Sequence, residues 1–160
     1  MIVVTGSCRT GTSLAMQTLK RLGVEVVGLK FHHDFSHKEL NPNGYYELPI
    51  ADTVNGIQDD RYKGKAVKLF GYQLSKTLPD VVDKVIVCVR DKDKAIASTQ
   101  KLFEAEKDWT GIEPTDENCW NVYHYNYEFI MDWLIATNIP FISILYGCDN
   151  VNKIKDFIGG

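Results

Sequence analysis

The octapeptide Gly6-Ser7-Cys8-Arg9-Thr10-Gly11-Thr12-Ser13 follows a short apolar run, Ile2-Val3-Val4, and precedes a segment of helical periodicity. Strand, glycine-bounded loop and helix in that order make a cradle for anions, because the glycines let backbone N–H groups face a phosphate at the helix N-terminus. The loop departs at one position from the pattern G-x-x-x-x-G-K-S/T: Thr12 stands in place of the lysine. Without that lysine the usual charge over the β- and γ-phosphates of a nucleoside triphosphate is missing, and within the loop only Arg9 can replace it. An ordinary ATPase is therefore disfavoured, while a phosphate site is retained.

The rest of the chain repeats the same alternation. Ala15, Leu19 and Leu22 recur at helical spacing ahead of Gly23, which supplies a stop. Strands are predicted at 2–5, 24–27, 66–70, 84–89 and 141–145. The clearest, Val85-Ile86-Val87-Cys88-Val89, is unbroken and apolar, as in a strand covered on both faces. Further helices are predicted from Pro49 to about Gln58 and over 92–107, 116–136 and 150–158, with Trp120, Tyr123, Tyr127, Ile130 and Leu134 at helical spacing. Such alternation implies an α/β fold, a parallel sheet layered between helices with right-handed crossovers and ligands at the carboxyl ends of the strands. The 6–13 loop, Lys68 within its strand and Arg90 at the end of the strong strand all fall there.

A chain of 160 residues, 44% apolar and 24% charged, suits a single domain over 1–160. Its net charge of −3 offers no field for nucleic acid or an anionic membrane, so any anion must be bound by a local site. Cys8, Cys88, Cys119 and Cys148 are scattered without a C-x-x-C pair or a leading signal, which reads as free thiols in a cytoplasmic protein. No apolar run approaches the roughly 20 residues of a membrane span. The cluster His32, His33, Asp34 and His37 matches no zinc spacing, and no metal is assigned.

Arg90 and Ser98 are eight residues apart, which is about two turns into the following helix at 3.6 residues per turn. A guanidinium fork and a hydroxyl suit a phosphate monoester; taken alone, the pair equally reads as a surface arginine and a solvated serine. Together with the loop it resembles the sulfotransferase family. Arg9-Thr10-Gly11-Thr12-Ser13 is similar to the segment that cradles the 5′ side of 3′-phosphoadenosine 5′-phosphosulfate, and Arg90 with Ser98 to the pair that contacts its 3′-phosphate. Asn41-Pro42-Asn43-Gly44-Tyr45-Tyr46-Glu47 resembles an Asn-Pro-x-Gly-aromatic-Glu motif of bacterial members. Leu78-Pro79, Tyr146 and Asp156-Phe157-Ile158-Gly159 are similar to later landmarks.

The resemblance implies a three-layer P-loop NTPase-like α/β fold with a central parallel sheet of four to five strands flanked by helices. It also implies transfer of a sulfuryl group to a hydroxyl or amine acceptor, leaving adenosine 3′,5′-bisphosphate, with no metal expected. Ser7, Cys8, Arg9, Thr10, Gly11, Thr12, Ser13, Arg90 and Ser98 would hold the nucleotide. Arg9 and the loop N–H groups would stabilise charge on the leaving oxygen, and Lys68 would touch the transferring group. Glu47 is the preferred general base by motif position, with His32 and His33 as the other candidates. Glu47 also reads as a carboxylate complementing the helix near Pro49. The aromatic series of 116–136 either lines an acceptor pocket or packs the core, and loops 30–43 and 107–118 are expected to shape the acceptor site. Two other functions remain in view: a kinase in which Ser13 holds Mg²⁺ and Asp91 supplies a carboxylate, and a nucleotide-binding module without turnover. The module fits a chain ending at Gly159-Gly160, without the basic, glycine-containing closing segment many members carry.

Overall fold

Four short strands, β1 (Ile2–Gly6), β2 (Ala66–Phe70), β3 (Lys84–Val89) and β4 (Phe141–Leu145), form an all-parallel sheet in the order β2-β1-β3-β4. The computed structural model describes residues 1–31 and 40–160, apart from the side chains of 109 and 110. In β1, Val3 lies opposite Val67 and Val85, and Thr5 opposite Leu69 and Val87. Six helices accompany the strands among the described residues: α1 (Thr12–Arg21), α2 (Ile50–Thr53), α3 (Gly71–Leu74), α4 (Lys92–Thr110), α5 (Asp116–Thr137) and α6 (Val151–Gly159). A 3₁₀ turn covers Pro79–Val81.

Side chains alternate across a strand, so unbroken apolar strands have two faces to bury. Val3, Val67, Leu69, Val85 and Val87 pack on one face against Leu74 of α3 and Ile130, Trp133 and Leu134 of α5. On the other, Val4, Ala66, Ile86, Cys88 and Ile144 pack against Ala15, Met16 and Leu19 of α1 and Ile154 of α6. Each fully buried aliphatic side chain contributes about 1.5–3 kcal/mol, and this two-sided burial holds the strand ends in register.

Two predicted elements are shorter than expected. The 24–27 segment makes only a single parallel bridge, Val26 to Ala66, with Val27 N–H donating to the Ala66 carbonyl at 2.9 Å and Ala66 N–H to that of Glu25 at 2.8 Å. Glycines at 23 and 28 bracket it, and the chain turns away to pair Leu29 antiparallel with Glu47. The helix expected over 49–58 is only α2, because the Asn55-Gly56 dipeptide breaks it and Ile57 N–H donates instead to Thr77 Oγ1 at 3.1 Å. Among the described residues no helix is long and apolar enough to cross a membrane, and all four cysteines are free.

Candidate functional site

The 6–13 loop leaves β1 and enters α1. A Cβ at Gly6 would lie 2.6 Å from Thr10 Oγ1 and 2.7 Å from the Cys88 carbonyl, so only glycine fits between loop and sheet. Thr10 donates its hydroxyl to the Ser7 carbonyl at 2.8 Å, and Ser7 donates to the Val122 carbonyl of α5 at 3.3 Å. Both hydroxyls, expected among the nucleotide contacts, thus brace the loop. Gly11 begins α1 in the left-handed region (φ 99°), without a side-chain cap and without an acidic residue in the first turn. The first-turn N–H donors and the positive end of the helix therefore lack a counter-charge from α1 itself.

Beside the loop lies a cleft of about 300 Å³, bordered by Cys8, Arg9, Gly11, Thr12 and Ser13 and by Glu47, Lys68 and Arg90. Lys68 shares the strand face of Ala66, not that of Val67 and Leu69, so it projects towards α1 and the loop. Its side chain is 4% exposed. Nζ donates to Glu47 Oε1 at 2.8 Å, to the Tyr45 carbonyl at 2.6 Å and to Ser13 Oγ at 3.5 Å. An ammonium removed from water to this degree requires such partners. The Glu47 side chain is 43% exposed, so its carboxylate meets the cleft while its partner is sealed.

Backbone pairing puts Glu47 there. Tyr45 N–H donates to the Lys30 carbonyl at 2.7 Å, and Leu29 and Glu47 exchange N–H···O bonds of 2.9 and 3.3 Å. Between them Tyr46, its ring buried, takes φ 56°, a conformation uncommon for a bulky residue. That turn sends the Tyr45 carbonyl and the Glu47 carboxylate to the same ammonium. The alternative role of Glu47, complementing the helix near Pro49, is taken by Asp52 in the first turn of α2.

Arg9 also has a left-handed backbone, φ 62°. Its Nε donates to Ser98 Oγ at 3.1 Å and its Nη2 to the Leu40 carbonyl at 3.2 Å. Arg90 donates Nη1 to the Arg9 carbonyl at 3.0 Å, and its guanidinium lies 4.5 Å from the Tyr146 ring centre. Arg90 Nε is buried without a hydrogen-bond partner among the described residues. Arg9 thus contacts both Ser98 and Arg90, where the sequence implied Arg90 with Ser98 around a phosphate. Among the described residues three cations, Arg9, Lys68 and Arg90, border the cleft with one carboxylate, an arrangement suited to a polyanion. Burial first, then the Glu47 charge, pushes the Cys8 thiol up to about 12, so Cys8 is neutral and a poor nucleophile at neutral pH.

Tyr123 and Tyr127 of α5 donate their hydroxyls to the carbonyls of Arg90 (3.3 Å) and Cys88 (2.6 Å); they fasten the end of β3 and do not line the cleft. Asp91 caps α4 by accepting from Lys94 N–H at 3.0 Å. His32, His33, Asp34 and His37 lie outside the described residues. Sequence reasoning missed Phe70, Leu102 and Tyr146 as cleft residues. Phe70 has the strand parity of Lys68, Leu102 lies one helical turn after Ser98, and Tyr146 directly follows β4, so each carried a positional signal. No protein-family model matches this chain, and no curated protein matches it either.

Proposed function

We propose that this protein is a small P-loop-type sulfotransferase that binds 3′-phosphoadenosine 5′-phosphosulfate and passes its sulfuryl group to a hydroxyl acceptor. The observation that carries the reading is the convergence, on one cleft, of a glycine-bounded helix N-terminus, Arg9, Arg90 and the Glu47–Lys68 pair, with Ser98 accepting from Arg9. The donor set fits such a nucleotide: the unpartnered Arg90 Nε is a buried donor beside the loop, and the α1 N-terminus brings no acid of its own. Arg9, Thr12, Ser13 and the loop N–H groups would hold the 5′-phosphosulfate, and Arg90 with Ser98 the 3′-phosphate.

When bound, the nucleotide supplies an activated sulfuryl group on a phosphate leaving group. With it bound, the acceptor oxygen would bond to sulfur as the bond from sulfur to the 5′-phosphate oxygen broke, the electron pair leaving on that oxygen. Glu47 takes the acceptor's proton, and Lys68 stabilises charge on the transferring oxygens. An ATP-dependent kinase has less support, since Thr12 stands where the phosphate-binding lysine would be and Asp91 is engaged as a helix cap. The test is Glu47→Gln: sulfuryl transfer to a hydroxyl acceptor is expected to fall about 10²–10⁴-fold with bisphosphate affinity unchanged. Unaltered turnover would remove Glu47 as the base.

A further inference from the structure

The arginine of the loop ties two other segments together. From a left-handed backbone at φ 62°, Arg9 reaches both α4 and the chain leading to Glu47: Nε donates to Ser98 Oγ at 3.1 Å and Nη2 to the Leu40 carbonyl at 3.2 Å. Its backbone is fixed separately, because Arg90 Nη1 donates to the Arg9 carbonyl at 3.0 Å. Arg9, Leu40 and Arg90 border the cleft, whereas Ser98 does not. The hydroxyl that a 3′-phosphate needs is therefore reached past the Arg9 guanidinium. A guanidinium is a rigid planar fork, so two bonds to protein acceptors fix its plane and with it the aim of its remaining donors.

We propose that Arg9 is a strap that makes the site selective for 3′-phosphorylated nucleotides, an assignment that rests on the sulfuryl-transfer reading. A 3′-phosphate takes over Ser98 and frees the guanidinium for the 5′-phosphosulfate, whereas a nucleotide without that phosphate meets Arg9 still tied. Hydrogen bonds to an anionic oxygen are about twice as strong as those between neutral groups, so the exchange runs towards the phosphate. Arg90 has a donor to add, since its Nε is buried without a hydrogen-bond partner among the described residues. A ligand shifts such an equilibrium only by its differential affinity for the two arrangements. For one lacking the 3′-phosphate, affinity is scaled down by the fraction of molecules with the strap open, which a guanidinium-to-hydroxyl bond sets at about three- to tenfold.

The test is a calorimetric titration of adenosine 5′-phosphate and adenosine 3′,5′-bisphosphate against the wild-type chain, Ser98→Ala, Arg9→Ala and the double variant. Alanine is the best helix former, so Ser98→Ala keeps α4 intact. That substitution is expected to move the two ligands in opposite directions. Adenosine 5′-phosphate should tighten about three- to tenfold because the strap is cut, and the bisphosphate should weaken at least about threefold because its 3′-phosphate loses a donor. In the Arg9→Ala background the same substitution should leave adenosine 5′-phosphate within about twofold, since no strap remains to cut. Shifts of both ligands in the same direction, or an unchanged adenosine 5′-phosphate affinity in Ser98→Ala, would overturn the strap while leaving the nucleotide site standing. Failure of both nucleotides to bind any of the four proteins is a different result, and it would sink the sulfuryl-transfer reading together with the strap.

Discussion

An ammonium that is 4% exposed persists in a fold only where fixed partners replace its water, and Lys68 has three: a carboxylate, a carbonyl and a hydroxyl. Two of these come from the 45–47 segment, so the left-handed turn at Tyr46 links catalytic geometry to backbone strain. Arg90 is the complementary case, a guanidinium with one carbonyl partner, one aromatic face and an unused buried N–H. Arg90→Ala is expected to weaken adenosine 3′,5′-bisphosphate about 10–100-fold, the worth of a hydrogen bond to a charged group, and to leave adenosine 5′-phosphate within about twofold. Titration of both ligands checks this, and equal losses would contradict a 3′-phosphate role. At this scale the sequence was informative about identity and silent about pairing. Arg9, Glu47, Lys68, Arg90 and Ser98 were all nameable from spacing and resemblance. The Arg9–Ser98 bond was not, because it follows from a left-handed φ at a non-glycine residue, which no local pattern announces.

Among the elements, the junction of loop and α1 is the most constrained. A Cβ at Gly11 would fall 2.7 Å from Cδ2 of Tyr146, so the loop, the residue after β4 and, through Tyr146, the Arg90 guanidinium form one packed unit. Gly11→Ala is expected to cost about 1–3 kcal/mol for its left-handed backbone, with a further penalty for the clash. Adding Tyr146→Ala should recover the steric part and leave the backbone part, giving a non-additive cycle in urea unfolding; strict additivity would show that the ring and loop are not in contact. The strands were legible because apolar runs covered on both faces have little alternative. The 24–27 segment was overcalled because it makes only the single bridge from Val26 to Ala66, and the 49–58 helix because Asn55-Gly56 ends it. A run of Val and Ile signals burial; its length as a strand depends on a neighbour to pair with.

For the whole molecule, the four-stranded parallel sheet with helices on both faces was readable from the alternation of periods, and its cleft sits at the carboxyl ends of the strands, as such sheets require. Burial also gives the fold an alkaline limit. Cys8 and Cys88, whose ordinary value is 9.0, are each pushed up to about 12, chiefly by burial. Between those values the folded chain holds protons that the unfolded chain has released. The thiols' contribution to stability is therefore complete below about pH 9 and lost as the pH rises towards 12. Melting temperatures measured from pH 8 to 11 should be flat and then fall, with a shallower fall in Cys88→Ala; an unchanged slope in that variant would contradict the burial argument. The proposed function rests on the loop that lacks a lysine, and the most direct measurement compares two nucleotides on the unaltered chain by titration calorimetry. Adenosine 3′,5′-bisphosphate is expected to bind at least tenfold more tightly than ATP with Mg²⁺. Tight binding of ATP-Mg²⁺ alone would contradict the assignment of this cleft to a phosphosulfate donor.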